Sequence, residues 1–233
     1  MDPVTDAAVA ARRGEGVSRI WGLLISLGVL VAACGGGGDN GGSDPAASGA
    51  VDSGDEGPYE GIEVEPFPKP EIVLTDVATG EPYDFQAETE GALTLLYFGY
   101  TTCPDICPVH LAQLASVVDR PDMPADTRVV VVTVDPERDT PEVFREYLDN
   151  FSSDFVGLWG TLEQVEEVQR NVPTIAPAFK VPDEDLGYTV AHAGQVIAFA
   201  ADGNAHVIYG ERTRQTNYVH DLPLLAEIEA ERT

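Results

Sequence analysis

From residue 71 onward, short continuous apolar runs alternate with apolar residues at helical spacing. Ile72–Thr75 and Pro82–Phe85, parted by Asp76–Glu81 with Gly80, predict a short hairpin. Ala92–Phe98 and Val129–Val134 are nearly unbroken apolar runs, the pattern of strands covered on both faces. Leu111, Leu114, Ala115 and Val118 recur at helical spacing between them. Thr140 and Pro141 predict the N-cap and first position of a helix whose inner face is Val143, Tyr147, Leu148 and Phe151. Phe155–Leu158 reads as a strand, and Thr161 with Gln164 as a capping box ahead of Leu162, Val165 and Val168. Gln195–Ala200 and Ala205–Tyr209, joined through Asp202-Gly203-Asn204, predict a second hairpin, and Leu222, Leu225 and Ile228 a last helix. Strands alternating with helices, then a hairpin and a helix, predict an α/β fold with a mixed sheet.

The residues upstream follow different rules. Arg12, Arg13 and Arg19 precede the apolar run Ile20–Ala33, which has the length of a signal-peptide core and is short for a bilayer span. The run ends Val31-Ala32-Ala33-Cys34, a pattern similar to a bacterial lipobox, in which the cysteine receives lipid and becomes the mature N-terminus. Residues 35–69 are mostly Gly, Ser, Asp, Glu and Pro with little apolar periodicity, so they read as a disordered tether. The expected organisation is a lipoprotein signal peptide at 1–33, a lipid-anchored acidic tether at 34–70 and a folded domain at 71–233. The domain would then hang on the outer face of a bacterial cell membrane, with the tether contributing nothing to metal binding.

With 13 Lys and Arg against 40 Asp and Glu, the net charge of −27 repels phosphate and excludes nucleic acid as a partner. Three cysteines are too few for a disulfide scaffold, so each is read singly. Cys103 and Cys107 fall where a buried strand gives way to a helix, the place where α/β sheets present reactive groups. Pro108 suggests that the regular helix begins there, which would place Cys107 near the N-cap and favour its thiolate. Two thiols so placed can close a disulfide, exchange with one, or hold a soft cation. No second Cys or His pair completes a four-ligand zinc set. Of the four histidines, His192 is a candidate third ligand, while His110 reads as a solvated helix residue and His206 and His220 as surface residues.

The run Tyr97–Pro108 (YFGYTTCPDICP) resembles the signature of the Sco (SenC) family of copper chaperones. Asp135–Pro141, Val156–Thr161 and the segment around His192 are similar in the same order. The resemblance implies a thioredoxin-like fold and a copper site, for Cu(I) and Cu(II), made of Cys103, Cys107 and His192. It also implies a role in assembling the dinuclear copper centre of cytochrome c oxidase subunit II. Partners would be that subunit or its other copper chaperones, and a thiol reductant. A thiol-disulfide oxidoreductase using Cys103 and Cys107 is the competing reading. The chain departs from the family at Ala191, where an Asp is usual before the copper histidine, and at the turn Ala201-Asp202-Gly203. The first departure removes a carboxylate expected to support the imidazole, leaving Asp105 and Asp135 as possible orienting groups. Asp135, Arg138 and Asp139 read equally well as a strand-to-helix turn.

Overall fold

The computed structural model of the chain describes residues 57–229. The expected signal peptide, Cys34 and most of the expected tether lie outside the described residues. In chain order the elements are β1 (Ile62–Pro68), β2 (Val73–Asp76), β3 (Pro82–Asp84), α1 (Phe85–Glu88), β4 (Thr94–Gly99), α2 (Ile106–Val118), β5 (Arg128–Thr133) and α3 (Pro141–Asp149). They continue with β6 (Val156–Trp159), α4 (Leu162–Asn171), β7 (Phe179–Asp183), β8 (Gly187–Ala191), β9 (Val196–Phe199), β10 (Asn204–Tyr209) and α5 (Gln215–Ala226).

One mixed sheet runs β1-β10-β9-β4-β5-β6-β2-β3, and β7 and β8 form a separate two-stranded sheet. The three parallel strands β4, β5 and β6 lie in register, Leu96 opposite Val130 and Val132 opposite Leu158. Their unbroken apolar runs are explained by burial on both faces, with Leu95, Leu96, Phe98, Val130 and Val132 inaccessible to solvent. The hairpin β9–β10 closes antiparallel on β4 through Val196 to Phe199.

Thr140 and Thr161 cap α3 and α4 as expected, the second in a full capping box with Gln164. The inner face of α3 is carried by Phe144 and Leu148, four residues apart, whereas Val143 is 44% exposed. A helix turns about 100° per residue, so a face centred on Leu148 takes Phe144 and sheds its neighbour. Leu162 is likewise turned outward.

Residues 57–70 belong to the fold, which corrects the C-terminal part of the expected tether at 34–70. Strand β1 pairs antiparallel with β10, Ile62 opposite Ile208 and Phe67 opposite Ala205, with an irregularity between Glu63 and Phe67. Its prolines are tolerated because an edge strand has one unpaired side. Phe67 packs edge-on against Phe199 at 6.0 Å. Lys69 is only 6% exposed, and its Nζ donates to the Thr89 carbonyl, Thr89 Oγ1, the Ala92 carbonyl and Thr94 Oγ1 at 2.6 to 3.3 Å. Buried Asp221 accepts the backbone N–H groups of Glu60 and Gly61, each at 2.8 Å. Sparse apolar residues among Glu and Pro hid this strand from a periodicity reading.

Candidate metal centre

The two cysteines sit where β4 hands over to α2. Gly99 ends the strand, and a Cβ there would come within 2.7 Å of the Tyr97 ring and 3.4 Å of Cys107 Sγ, so glycine lets the thiol pack beneath the strand end. The helix begins at Ile106 with Asp105 as N-cap, two residues before the expected start at Pro108. Pro108 is therefore the third helical residue, where no intrahelical N–H is needed, and the residue four before it lies outside the helix. Cys103 and Cys107 are both free thiols.

This shift reverses which sulfur benefits from the helix start. The Cys107 N–H points at Cys103 Sγ, 3.5 Å away. Hydrogen bonding from the Cys107 thiol first, and then from His192 and the N–H groups of Asp105 and Cys107, outweighs burial and holds Cys103 far below the usual thiol range. Cys107 is fully buried and is pushed the other way, first by sharing its proton with Cys103 and then by desolvation. The two shifts run in opposite directions, so Cys103 rather than Cys107 gives up its proton the more readily.

His192 enters from a peripheral hairpin that apolar periodicity did not reveal. In that hairpin Phe179 pairs with Ala191 and Asp183 with Gly187, so His192 follows the last rung directly. Its Nε2 lies 3.5 Å from Cys107 Sγ, and its Nδ1 lies 3.1 Å from the Ala193 carbonyl. The Nδ1–H donates to that carbonyl, which aims Nε2 at the sulfurs, where it donates while it carries a proton and offers a lone pair to a metal once that proton has left. The backbone thereby supplies the orienting acceptor that a carboxylate at position 191 would have given. Tyr100 and Tyr97 flank the imidazole edge-on, with ring centroids at 5.6 and 6.3 Å.

The turn after β5 fastens both ligand-bearing segments. Asp139, fully buried, accepts Thr101 N–H, Thr101 Oγ1 at 2.5 Å and Thr133 Oγ1 at 2.7 Å, which pins the cysteine turn. Asp135 pairs with Arg138 and accepts the Tyr188 hydroxyl at 2.9 Å. Arg138 stacks on the Tyr188 ring at 3.8 Å and donates to the Tyr188 carbonyl at 3.0 Å. The Val190 N–H donates to the Tyr100 hydroxyl at 3.1 Å. Asp135 therefore orients the hairpin rather than His192 itself, and Asp105 acts only through its backbone. Tyr100 and Tyr188 were missed because nothing in their local sequence signals partners dozens of residues away.

Cys103 Sγ, Cys107 Sγ and one nitrogen of His192 all lie within 4.8 Å of one another. The structure thus brings together the three expected ligands. His206 bonds the Asp202 carboxylate at 2.9 Å, and His220 lies beside Asp221. His110 contradicts the expectation of a solvated residue: it is 1% exposed, packed 5.5 Å from the Tyr97 ring. Two sulfurs and an imidazole suit Cu(I), admit Cu(II), and leave a coordination position open to an incoming ligand. Among the described residues, no helix is long and apolar enough to cross a membrane.

The profile of the SCO1/SenC family matches residues 74–227. A SCO2-like protein of Rickettsia felis is 36% identical over 117 residues, which covers 50% of this chain and 57% of that protein. The chain spans between about half and two thirds of the first curated relatives it matches. Arabidopsis thaliana ScoI, solved with copper bound, aligns at a TM-score of 0.62 with 29% identity, over 69% of this chain and 98% of that one. Bradyrhizobium japonicum ScoI, also solved with copper bound, gives 0.58 and 29%, over 68% of this chain and 99% of that one. With the thioredoxin-like sheet of these structures, the sequence match along most of the folded region and the three converging ligands, the chain belongs to the SCO1/SenC family.

Proposed function

We propose that this protein is a membrane-anchored, extracytoplasmic copper chaperone that loads the dinuclear copper centre of cytochrome c oxidase subunit II. The observation that carries the reading is the set of Cys103, Cys107 and His192 donors within 4.8 Å, both thiols unlinked. The copper bound by the ScoI proteins of Arabidopsis thaliana and Bradyrhizobium japonicum supports copper as the cargo. Loading Cu(I) on both sulfurs displaces the proton they share, which Cys107 holds the more tightly. With three donors the ion stays open to a partner's ligand, so transfer proceeds by exchange without release into water. Lipid on Cys34 would confine the domain to the membrane that holds its target and raise their effective concentration.

Metal analysis of the purified protein should find one copper per chain, and the Cu(II) form should show thiolate-to-copper charge transfer. Unchanged copper content in a Cys103→Ala, Cys107→Ala variant would overturn the proposal. The unequal pair of thiols also favours a second reading, thiol-disulfide exchange on partner cysteines. His192→Ala separates the two, because an exchange enzyme keeps its dithiol activity in that variant while a chaperone binds copper more weakly, Cu(II) above all. Cys34→Ser should abolish membrane partitioning, and wild-type protein recovered wholly in the soluble exported fraction would refute the anchor.

A further inference from the structure

We propose that His110 is a second imidazole donor for copper, held in reserve behind the sulfurs and engaged when His192 leaves the ion. The inference rests on the copper reading above. His110 lies three residues after Cys107 on α2, so the two side chains share a helix face. It is 1% exposed, yet neither ring nitrogen has a hydrogen-bond partner. A buried polar group without a partner costs roughly 1–3 kcal/mol, and two such atoms on one side chain are unexpected in a residue that serves only to fill space. The packing against Tyr97 needs nothing that a phenylalanine would not supply.

Chemistry narrows what the imidazole can do. The other buried nitrogens without partners, on Arg138, Arg145, Trp159 and Gln169, have no lone pair to give a metal, whereas a neutral imidazole does. Burial, acting first, keeps His110 neutral, which is the ligating form, and both Cys103 and His192 lie near enough to act on it electrostatically. Both imidazoles pack against the same Tyr97 ring, His110 at 5.5 Å and His192 at 6.3 Å.

His110 is outside the group of donors that lie within 4.8 Å of one another, so its engagement requires a turn of the ring or an inward shift of the ion. That requirement fits a reserve donor. When a partner draws His192 away, or when the hairpin that carries it swings out, Cu(II) would otherwise be left with sulfur donors alone. A second nitrogen keeps it three-coordinate, and four-coordinate with the partner's ligand, while the exchange is completed.

The test compares the full chain, purified as wild type, His192→Ala, His110→Phe and the double variant, by Cu(II) titration and by electron paramagnetic resonance for nitrogen coupling. His192→Ala should retain copper with a nitrogen coupling. The double variant should lose that coupling and bind Cu(II) at least about 10-fold more weakly than His192→Ala. His110→Phe should melt at or above the wild-type temperature, because it removes unpartnered polar atoms. His110→Leu, run in parallel, keeps the comparison readable should the larger ring fail to fold. A double variant indistinguishable from His192→Ala in spectrum and affinity would overturn the assignment while leaving the chaperone reading intact. A wild-type protein that binds no copper would overturn both.

Discussion

The turn that carries Cys103 and Cys107 springs from β4, a strand paired on both sides at the centre of the sheet. The hairpin that carries His192 pairs with no strand of that sheet and keeps Phe179 65% exposed. The sulfurs are therefore positioned by the core itself. The imidazole depends on a few polar and stacking contacts to Asp135, Arg138 and Tyr100. A site built in this way can hold one set of ligands rigid while the other moves, which is what accepting and surrendering an ion requires.

The largest expected contrast is within the cysteine turn. Alkylation of the metal-free protein should modify Cys103 more than about 100-fold faster than Cys107 and stay fast well below the ordinary thiol value of about 8.5. Equal rates would show that the proton is not partitioned as described. Linkage gives the same asymmetry a stability signature. The contribution of Cys103, whose value is depressed, is present above about pH 8.5 and lost as pH falls toward its folded value. The contribution of Cys107, whose value is raised, is present below about pH 8.5 and lost above it. Urea unfolding of wild type against a Cys103→Ser, Cys107→Ser variant should therefore show a stability difference that peaks near pH 8.5.

Next comes the brace on the rigid side. Asp139→Ala leaves the Thr101 N–H and two hydroxyls without their acceptor and should cost roughly 2–3 kcal/mol in urea unfolding, with loss of copper in both oxidation states. The brace on the hairpin side should act more narrowly. Tyr188→Leu should weaken Cu(II) binding about 10-fold while sparing Cu(I) and changing stability by less than about 1 kcal/mol. Arg138→Met, which leaves buried Asp135 without its cation, should weaken Cu(II) binding likewise and also cost roughly 3 kcal/mol of stability. Tyr188→Phe, which keeps the stacking on Arg138, should recover part of the Cu(II) affinity lost in Tyr188→Leu. If Cu(I) and Cu(II) weaken together, the hairpin is no more independent than the cysteine turn. The smallest effect belongs to Thr161→Ala, which removes a cap remote from the site and should cost about 1 kcal/mol with copper binding unchanged.

How much of this was legible in the sequence follows the same division. Strands β4 and β5 could be read because burial on both faces leaves only apolar residues, and the caps at Thr140 and Thr161 because capping is local chemistry. The three candidate metal ligands were legible through residue type and resemblance. The braces were not, since Asp135 meets Tyr188 across 53 residues and Tyr100 meets Val190 across 90. His110 was misjudged because a helical histidine looks the same in sequence whether its face is wet or dry. Strand β1 was missed because an edge strand with Glu and Pro resembles unstructured chain until its partner is in place.

That edge strand governs what happens when the chain is shortened. A protein cut at Glu71, which the tether reading treats as harmless, loses all of β1 and the two N–H groups held by Asp221. The outer rim of β10, with Val207 and Ile208, would then stand open as unpaired N–H and C=O groups on an apolar strand. Such a rim recruits another copy of itself, so the shortened protein should form edge-to-edge aggregates in proportion to its concentration. A soluble version has to begin upstream of Glu60.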